Sequence, residues 1–344
     1  MKAAIYKGPG KIEVGEREKL EPGEGEVRVR IEACGICGSD LHFLHENLPI
    51  FPVGQTPGHE IAGRVDVVGS GVADFGPGDG VVVEPLVSCC KCFQCVSGRE
   101  SICPEFQFRG VHRPGGFAEF ITVPARRLFR VPKSLDVSVA ALAEPVAVVV
   151  HGFRRSELTA GQRVLVLGAG SIGLAAVGAA KAMGAGEVWL SARHAHQAEL
   201  GKKMGAARVL NEEEASPESL TEIAMKTHFD IVVETVGGTA KTMLAAGAAV
   251  GQGGTVCVLG LFMGPVTLDP FPLLFKEANL RWSNCYGRPK EGPDFAEAIR
   301  IISEDPERFA QLITHRMPLD QIAEAVEVAA DKKSKSIKVA VLVD

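Results

Sequence analysis

The rhythm of apolar and polar positions changes partway along the chain. In the first 150 residues short β-type runs, such as Val27-Arg28-Val29-Arg30-Ile31, 60–68 and Val81-Val82-Val83, alternate with turn signals. Gly69-Ser70-Gly71 and Phe75-Gly76-Pro77-Gly78-Asp79 punctuate them. Short strands at close spacing with glycine-rich turns predict an all-β, barrel-like body.

From residue 151 the pattern differs. Residues 162–167 are a nearly continuous apolar run, as expected of a strand buried on both faces. A glycine-rich turn and an Ala-rich helical stretch to Met183 follow. Strands are then predicted at 187–191, 208–210, 230–234 and 255–259, with helices at 196–204, 217–227 and 240–250 between them. Alternating strands and helices predict an α/β domain with a doubly wound parallel sheet. In the tail, 295–302 and 319–329 carry helical periodicity and 337–342 reads as a strand. The tail is too short for its own core and is expected to pack on the first body. The expected organisation is therefore 1–146, 147–284 and a completing segment 285–344.

The totals narrow the function classes. A chain of 344 residues favours two domains. A net charge of −5 supplies no basic field for nucleic acid or an anionic membrane. The most apolar stretch, 139–150, contains Glu144 and Pro145 and reads as too short to span a bilayer. Residues 1–6 lack the apolar run of a signal peptide, so the expected setting is the cytoplasm. There, nine clustered cysteines point to metal over disulfides.

Two groups of residues carry metal chemistry. Cys37, His59 and Glu60 offer a thiolate, an imidazole and a carboxylate, ligand types that suit zinc. Ser39 and His42 add a hydroxyl and a titratable imidazole, which an open metal site needs to move a proton. Alone, this set also fits a buried cysteine and an ordinary His-Glu pair. Cys89, Cys92, Cys95 and Cys103 follow in successive CxxC spacing with a seven-residue gap before the last, the pattern of a closed structural zinc site. Cys90 is a surplus thiol expected to point away. A zinc-ribbon nucleic-acid module would need a basic patch, which Lys91, Arg99, Glu100 and Glu105 do not supply. Glu144, before Pro145, reads from the residues alone as a helix cap.

The turn Gly168-Ala169-Gly170-Ser171-Ile172-Gly173 follows a strand and opens a helix, the context that makes GxGxxG a dinucleotide site. Its glycines admit a pyrophosphate to the backbone at a helix N-terminus. At the end of the second strand, the acid that holds the ribose of NAD falls on Ala192, between Ser191 and Arg193, with His194 and His196 behind. A guanidinium and a hydroxyl without a carboxylate predict NADP(H) over NAD(H).

Together these residues resemble the zinc-dependent medium-chain alcohol dehydrogenases, in the branch of sorbitol (polyol), threonine and butanediol dehydrogenases. The resemblance rests on Cys37-x-Ser39-x-x-His42, Gly58-His59-Glu60, the four-cysteine lobe and the glycines in this order, and covers essentially the whole chain. It implies a GroES-like fold for the first body, completed by the tail, and a Rossmann fold for the second. By resemblance Cys37 and His59 ligate a catalytic zinc. Glu60 ligates it or exchanges with its water, and Glu144 is a ligand, direct or through water. Ser39 touches the reacting alcohol, and His42 passes its proton to solvent. Cys89, Cys92, Cys95 and Cys103 hold a second, structural zinc. Cys285 stands where polyol dehydrogenases carry an Arg, a departure from a strict sorbitol dehydrogenase. The implied enzyme moves a hydride between a small secondary alcohol and NADP and is a homo-oligomer, a tetramer or a dimer. The rivals are an NAD-dependent threonine or butanediol dehydrogenase and, outside enzymes, a zinc- and nicotinamide-binding redox sensor. A zinc-free quinone reductase is disfavoured because the Cys and His ligands are present.

Overall fold

The computed structural model describes residues 1–45 and 50–343. Two compact units emerge, Met1–Glu144 with Gly287–Asp344, and Pro145–Tyr286. Their limits lie two residues from the expected 146 and 284.

The first unit is built on a seven-stranded sheet. Its order is Ile313–Pro318, Lys338–Leu342, Glu26–Gly35, Glu60–Val68, Gly80–Val83 and Leu128–Arg130, with Phe120–Pro124 also paired to Glu26–Gly35. The alternating side chains put Val27, Val29 and Ile31 in the core at zero exposure. The tail strand joins this sheet antiparallel, Ala340 opposite Gly35, and Gly35 in turn lies opposite Glu60. That register brings the last residues of the chain beside the His59-Glu60 pair. Helix Gly38–His45 follows directly on the strand that ends at Gly35.

The second unit holds a six-stranded parallel sheet ordered 208–210, 187–191, 163–167, 231–234, 255–258, 279–282. In chain order this is 3-2-1-4-5-6, the Rossmann arrangement, in which the order reverses beside the first strand. Its central strands, 163–167, 231–234 and 255–258, are buried on both faces, as the continuous apolar runs require. Leu165, Val232, Met243 and Val256 form part of one core. Helix Pro270–Phe275 and strand Asn279–Trp282 carry no strong periodic signal and were not foreseen from the sequence.

Residues Val137–Arg155 are, among the described residues, the one helical stretch long and apolar enough to cross a bilayer, and 78% of it is buried in the fold. It runs longer than expected because Pro145 sits in the first turn of Ala143–Arg155, where a missing N–H breaks no helix bond.

Candidate active site and metal centres

Cys37, His59 and Glu60 converge from two adjoining elements. Cys37 sits at the start of helix Gly38–His45, and Glu60 opens the strand Glu60–Val68. One ligand atom from each of the three lies within 4.8 Å of the others, and His59 and Glu60 are buried. Gly58, at φ +93°, makes the turn before His59, and a Cβ there would meet Cys34 Sγ and the Phe117 ring at 2.9 Å.

Two residues that sequence reasoning missed hold this group. Asp40 is fully buried. Its Oδ2 accepts from the Cys37 N–H at 2.9 Å, and its Oδ1 lies 3.4 Å from His59 Nδ1, an ion-pair distance too long for a formed hydrogen bond. With Nδ1 facing Asp40, Nε2 is the nitrogen left for a metal, the carboxylate–histidine arrangement of metal sites. Burial pushes the His59 imidazolium down, but Asp40 and Cys37 outweigh it and hold the group above its ordinary value in the metal-free protein. Lys338 is the second. It is 2% exposed, and its Nζ donates to Glu60 Oε1 at 2.5 Å and to the Ile36 carbonyl at 3.0 Å. Asp40 had a sequence signal, a carboxylate three residues after a ligating Cys. Lys338 had none, since it reads as one polar position of a strand.

Glu144 is buried, and burial followed by the nearby Glu60 carboxylate raises its carboxyl to about 7, with His59 opposing. It belongs to the same charge cluster but not to the trio whose ligand atoms lie within 4.8 Å. It also opens helix Ala143–Arg155, so the position has the features of both earlier readings. Ser39 and His42 lie three residues apart on helix Gly38–His45 and so share one of its faces.

The four-cysteine lobe fits zinc by its dimensions. Sγ–Sγ distances are 3.5 Å for Cys92–Cys95 and Cys89–Cys103, and 3.9 Å for Cys89–Cys95 and Cys92–Cys103. A tetrahedron with Zn–S bonds of about 2.3 Å has edges of about 3.8 Å. Backbone N–H groups of Lys91 and Cys92 lower the Cys89 thiol to about 7, which favours the ligating thiolate. Cys90 lies outside the set, exposed, at φ +60°, with its sulfur against the Arg126 guanidinium.

The glycine turn fits a dinucleotide. Gly168 lies at φ +104°, and a Cβ on Gly173 would fall 1.9 Å from the Gly168 carbonyl. A Cβ on Gly170 would meet nothing within 4 Å, so the backbone there is open to a pyrophosphate. Gly170 caps helix Ser171–Ala182 with no side chain on its N–H groups, the donors an anion takes. Ile172 lies in its first turn. Ser191 Oγ accepts from the Gly168 N–H at 3.0 Å, tying the second strand to the turn. Ala192 is buried. Arg193 is exposed and holds Glu212 with two bonds, at 3.1 and 2.5 Å. Glu234, fully buried at the end of the fourth strand, accepts from the Val236 and Gly237 N–H groups and the Thr242 hydroxyl, fixing the neighbouring loop.

Two family profiles match the chain: the alcohol dehydrogenase GroES-like domain over residues 23–133, and the zinc-binding dehydrogenase domain over 171–304. Galactitol 1-phosphate 5-dehydrogenase of Escherichia coli K12 is 32% identical over 333 residues, 95% of each chain. Sorbitol dehydrogenase of Bacillus subtilis is 32% identical over 346 residues, 99% of this chain and 97% of its own. The crystal structure of a zinc-binding dehydrogenase from Sinorhizobium meliloti bound to NADP superposes with a TM-score of 0.88 at 33% identity, covering 99% of this chain and 98% of that one. With a metal trio, a Rossmann turn and both halves matched, the chain belongs to the zinc-dependent medium-chain alcohol dehydrogenases, oxidoreductases acting on CH–OH.

Proposed function

We propose that this protein oxidises a secondary alcohol of a polyol or diol, reversibly, with NADP as the favoured hydride acceptor. The trio Cys37, His59 and Glu60 beside a helix that carries Ser39 and His42 supports this reading most directly. Polyol names among the relatives favour that substrate class. When bound, zinc supplies a Lewis acid that acidifies an alcohol and nicotinamide supplies the hydride acceptor. Cys37 and His59 hold the metal, with Glu60 and Glu144 as carboxylates in or near its shell. Asp40 fixes the His59 ring. Ser39 takes the alcohol proton, and His42, one turn along, hands it to solvent. Gly168, Gly170 and Gly173 give the pyrophosphate its backbone cradle. Cys89, Cys92, Cys95 and Cys103 hold a second zinc that does no chemistry. NADP is favoured because Ala192 offers no carboxylate and Arg193 can exchange Glu212 for a 2′-phosphate.

We also read the protein as a homo-oligomer. Phe271, Leu274 and Phe275 are 69–72% exposed on one short helix, next in chain to the edge strand Asn279–Trp282. Sedimentation giving a monomer would remove that reading. The functional test is a panel of polyols, polyol phosphates, sugar acids, diols and hydroxy-amino acids with oxidised cofactor. Turnover of a polyol-type substrate supports the proposal, and His42→Ala should flatten its pH–rate profile near neutrality. Turnover confined to threonine would transfer it to the rival reading.

A further inference from the structure

The turn that follows the four-cysteine lobe carries two cations that the reaction as described leaves unused. Arg109 is half-buried, and its guanidinium has no hydrogen-bond or ion-pair partner among the described residues. Burial, then the Arg113 charge, pull it down to about 10, with Glu26 opposing and Arg127 adding to the fall. Glu26 forms no ion pair with it and accepts instead from the Gly23 N–H at 3.1 Å. Arg113 is exposed, lies in a bridge with Arg109, and gives its Nε–H to Gln107 Oε1 at 2.7 Å. It too has no ion-pair partner among the described residues.

This turn is fastened to the metal site. Phe108, the neighbour of Arg109 on one side, sets its ring 5.2 Å from that of His59. Gly110, on the other side, stands at φ +84°, and a Cβ there would fall 2.6 Å from the Gly58 carbonyl oxygen. The Gln55 amide donates to the Val111 carbonyl at 2.7 Å, and the Gly116 N–H donates to the Gly58 carbonyl at 2.8 Å. Arg109 therefore sits between a residue that touches His59 and one packed on the turn before it. A partly desolvated guanidinium without a counter-ion is unfavourable in the free protein. No carboxylate of the described residues pairs with it, whereas an anion beside the metal would.

We propose that Arg109, with Arg113 beside it, is a specificity-determining residue that holds an anionic group of the substrate, a phosphate or a carboxylate, while a secondary alcohol of the same molecule lies at the metal. The proposal rests on the reading of the protein as a polyol dehydrogenase. A guanidinium meets either group with two parallel N–H bonds, and partial burial strengthens them. Neutral hydroxyls would leave both charges uncompensated.

The test measures kcat/KM for hexitols, their 1-phosphates and the corresponding hexonates, with zinc-loaded full-length protein and oxidised cofactor. Wild type should prefer one of the two anionic classes over the hexitols by at least about tenfold, and the preferred class identifies the group held. Arg109→Met keeps the stem and removes the charge. It should lose about 10- to 100-fold on that anion, mainly through KM, and less than about threefold on the hexitol. Arg109→Lys should keep part of the preference, since it retains the charge without the fork. The Tm of Arg109→Met should equal or exceed that of wild type, because the charge removed has no partner in the free protein. Equal losses on hexitol and anion would overturn the proposal. So would a fall of several degrees in Tm or a loss of fold, which would place the guanidinium in the fold and not at the substrate. Wild-type turnover of hexitols without preference for either anion removes this inference alone. Turnover of none of the three classes removes the polyol reading, and this inference with it.

Discussion

Arg127 should be the ion whose loss destabilises the first unit most clearly. Its side chain is 2% exposed and bridges Glu84 and Glu100, each at 2.5 Å, while donating to Ser88 Oγ at 2.9 Å. Glu84 leads out of the barrel strand Gly80–Val83, and Glu100 lies in the four-cysteine lobe, so the guanidinium ties the lobe to the barrel. The two carboxylates are not equally dependent on it. Among the described residues, Glu84 keeps Arg288 at 2.6 Å, whereas Glu100 keeps the Ser88 hydroxyl at 3.1 Å. Arg127→Met therefore strands one nearly buried carboxylate. Leaving a buried charge unpaired costs about 3–5 kcal/mol, and the residual exposure and hydroxyl bond at Glu100 argue for about 3. For a unit of roughly 200 residues that is a fall in Tm of about 6–12 °C. The assay is thermal unfolding by circular dichroism with zinc content measured in parallel. Adding Glu100→Gln should recover more than half of the loss, because the stranded charge is gone and Glu84 still has Arg288. A double variant no more stable than Arg127→Met, or a single loss under about 1 kcal/mol, would refute the argument.

Cys95→Ser should lose one zinc and melt at lower temperature or aggregate, since a structural zinc contributes folding free energy directly. A variant that keeps both would mean a different ligand set. In chelated protein, Glu144 binds its proton up to about 7 when folded, against 4.5 ordinarily. That contribution to stability is fully present below 4.5 and is lost as pH rises through 7, roughly 3 kcal/mol in all. Urea unfolding at pH 5 and 8 should show the wild-type decline flattened in Glu144→Gln; equal slopes would contradict it. Ala192→Asp with Arg193→Leu should reverse the ratio of kcat/KM for NADP and NAD, and a wild-type ratio favouring NAD would refute the cofactor reading.

Much of the fold was legible because its two halves use different periods. Alternation at 27–31 and continuous apolar runs at 162–167 become the two sheets, and the helices at 196–204 and 217–227 appear within a few residues of their predicted ends. Helix Pro270–Phe275 escaped because two prolines and exposed aromatics give no amphipathic stripe. The trio Cys37, His59 and Glu60 and the four-sulfur lobe could be read from residue type and spacing, because a metal demands both. Asp40 carries a spacing signal after Cys37, but its approach to His59, like that of Lys338 to Glu60, could not be read in that way. Each acts through a tertiary contact, the second 278 residues from its partner, and only strand register brings Lys338 to Glu60. The Arg193–Glu212 pair was hidden for the same reason, since neighbouring parallel strands bring together residues far apart in sequence.

The central claim is that Cys37, His59 and Glu60 would hold the metal that supplies the Lewis acid for oxidation of a secondary alcohol. The direct measurement is zinc content together with the absorbance of reduced nicotinamide, for wild type and Cys37→Ala, with a substrate from the panel. Wild type should hold about two zinc ions and reduce the cofactor. Cys37→Ala should hold about one, keep its fold and be inactive. A Cys37→Ala protein with both zinc ions, or with undiminished turnover, would contradict the account.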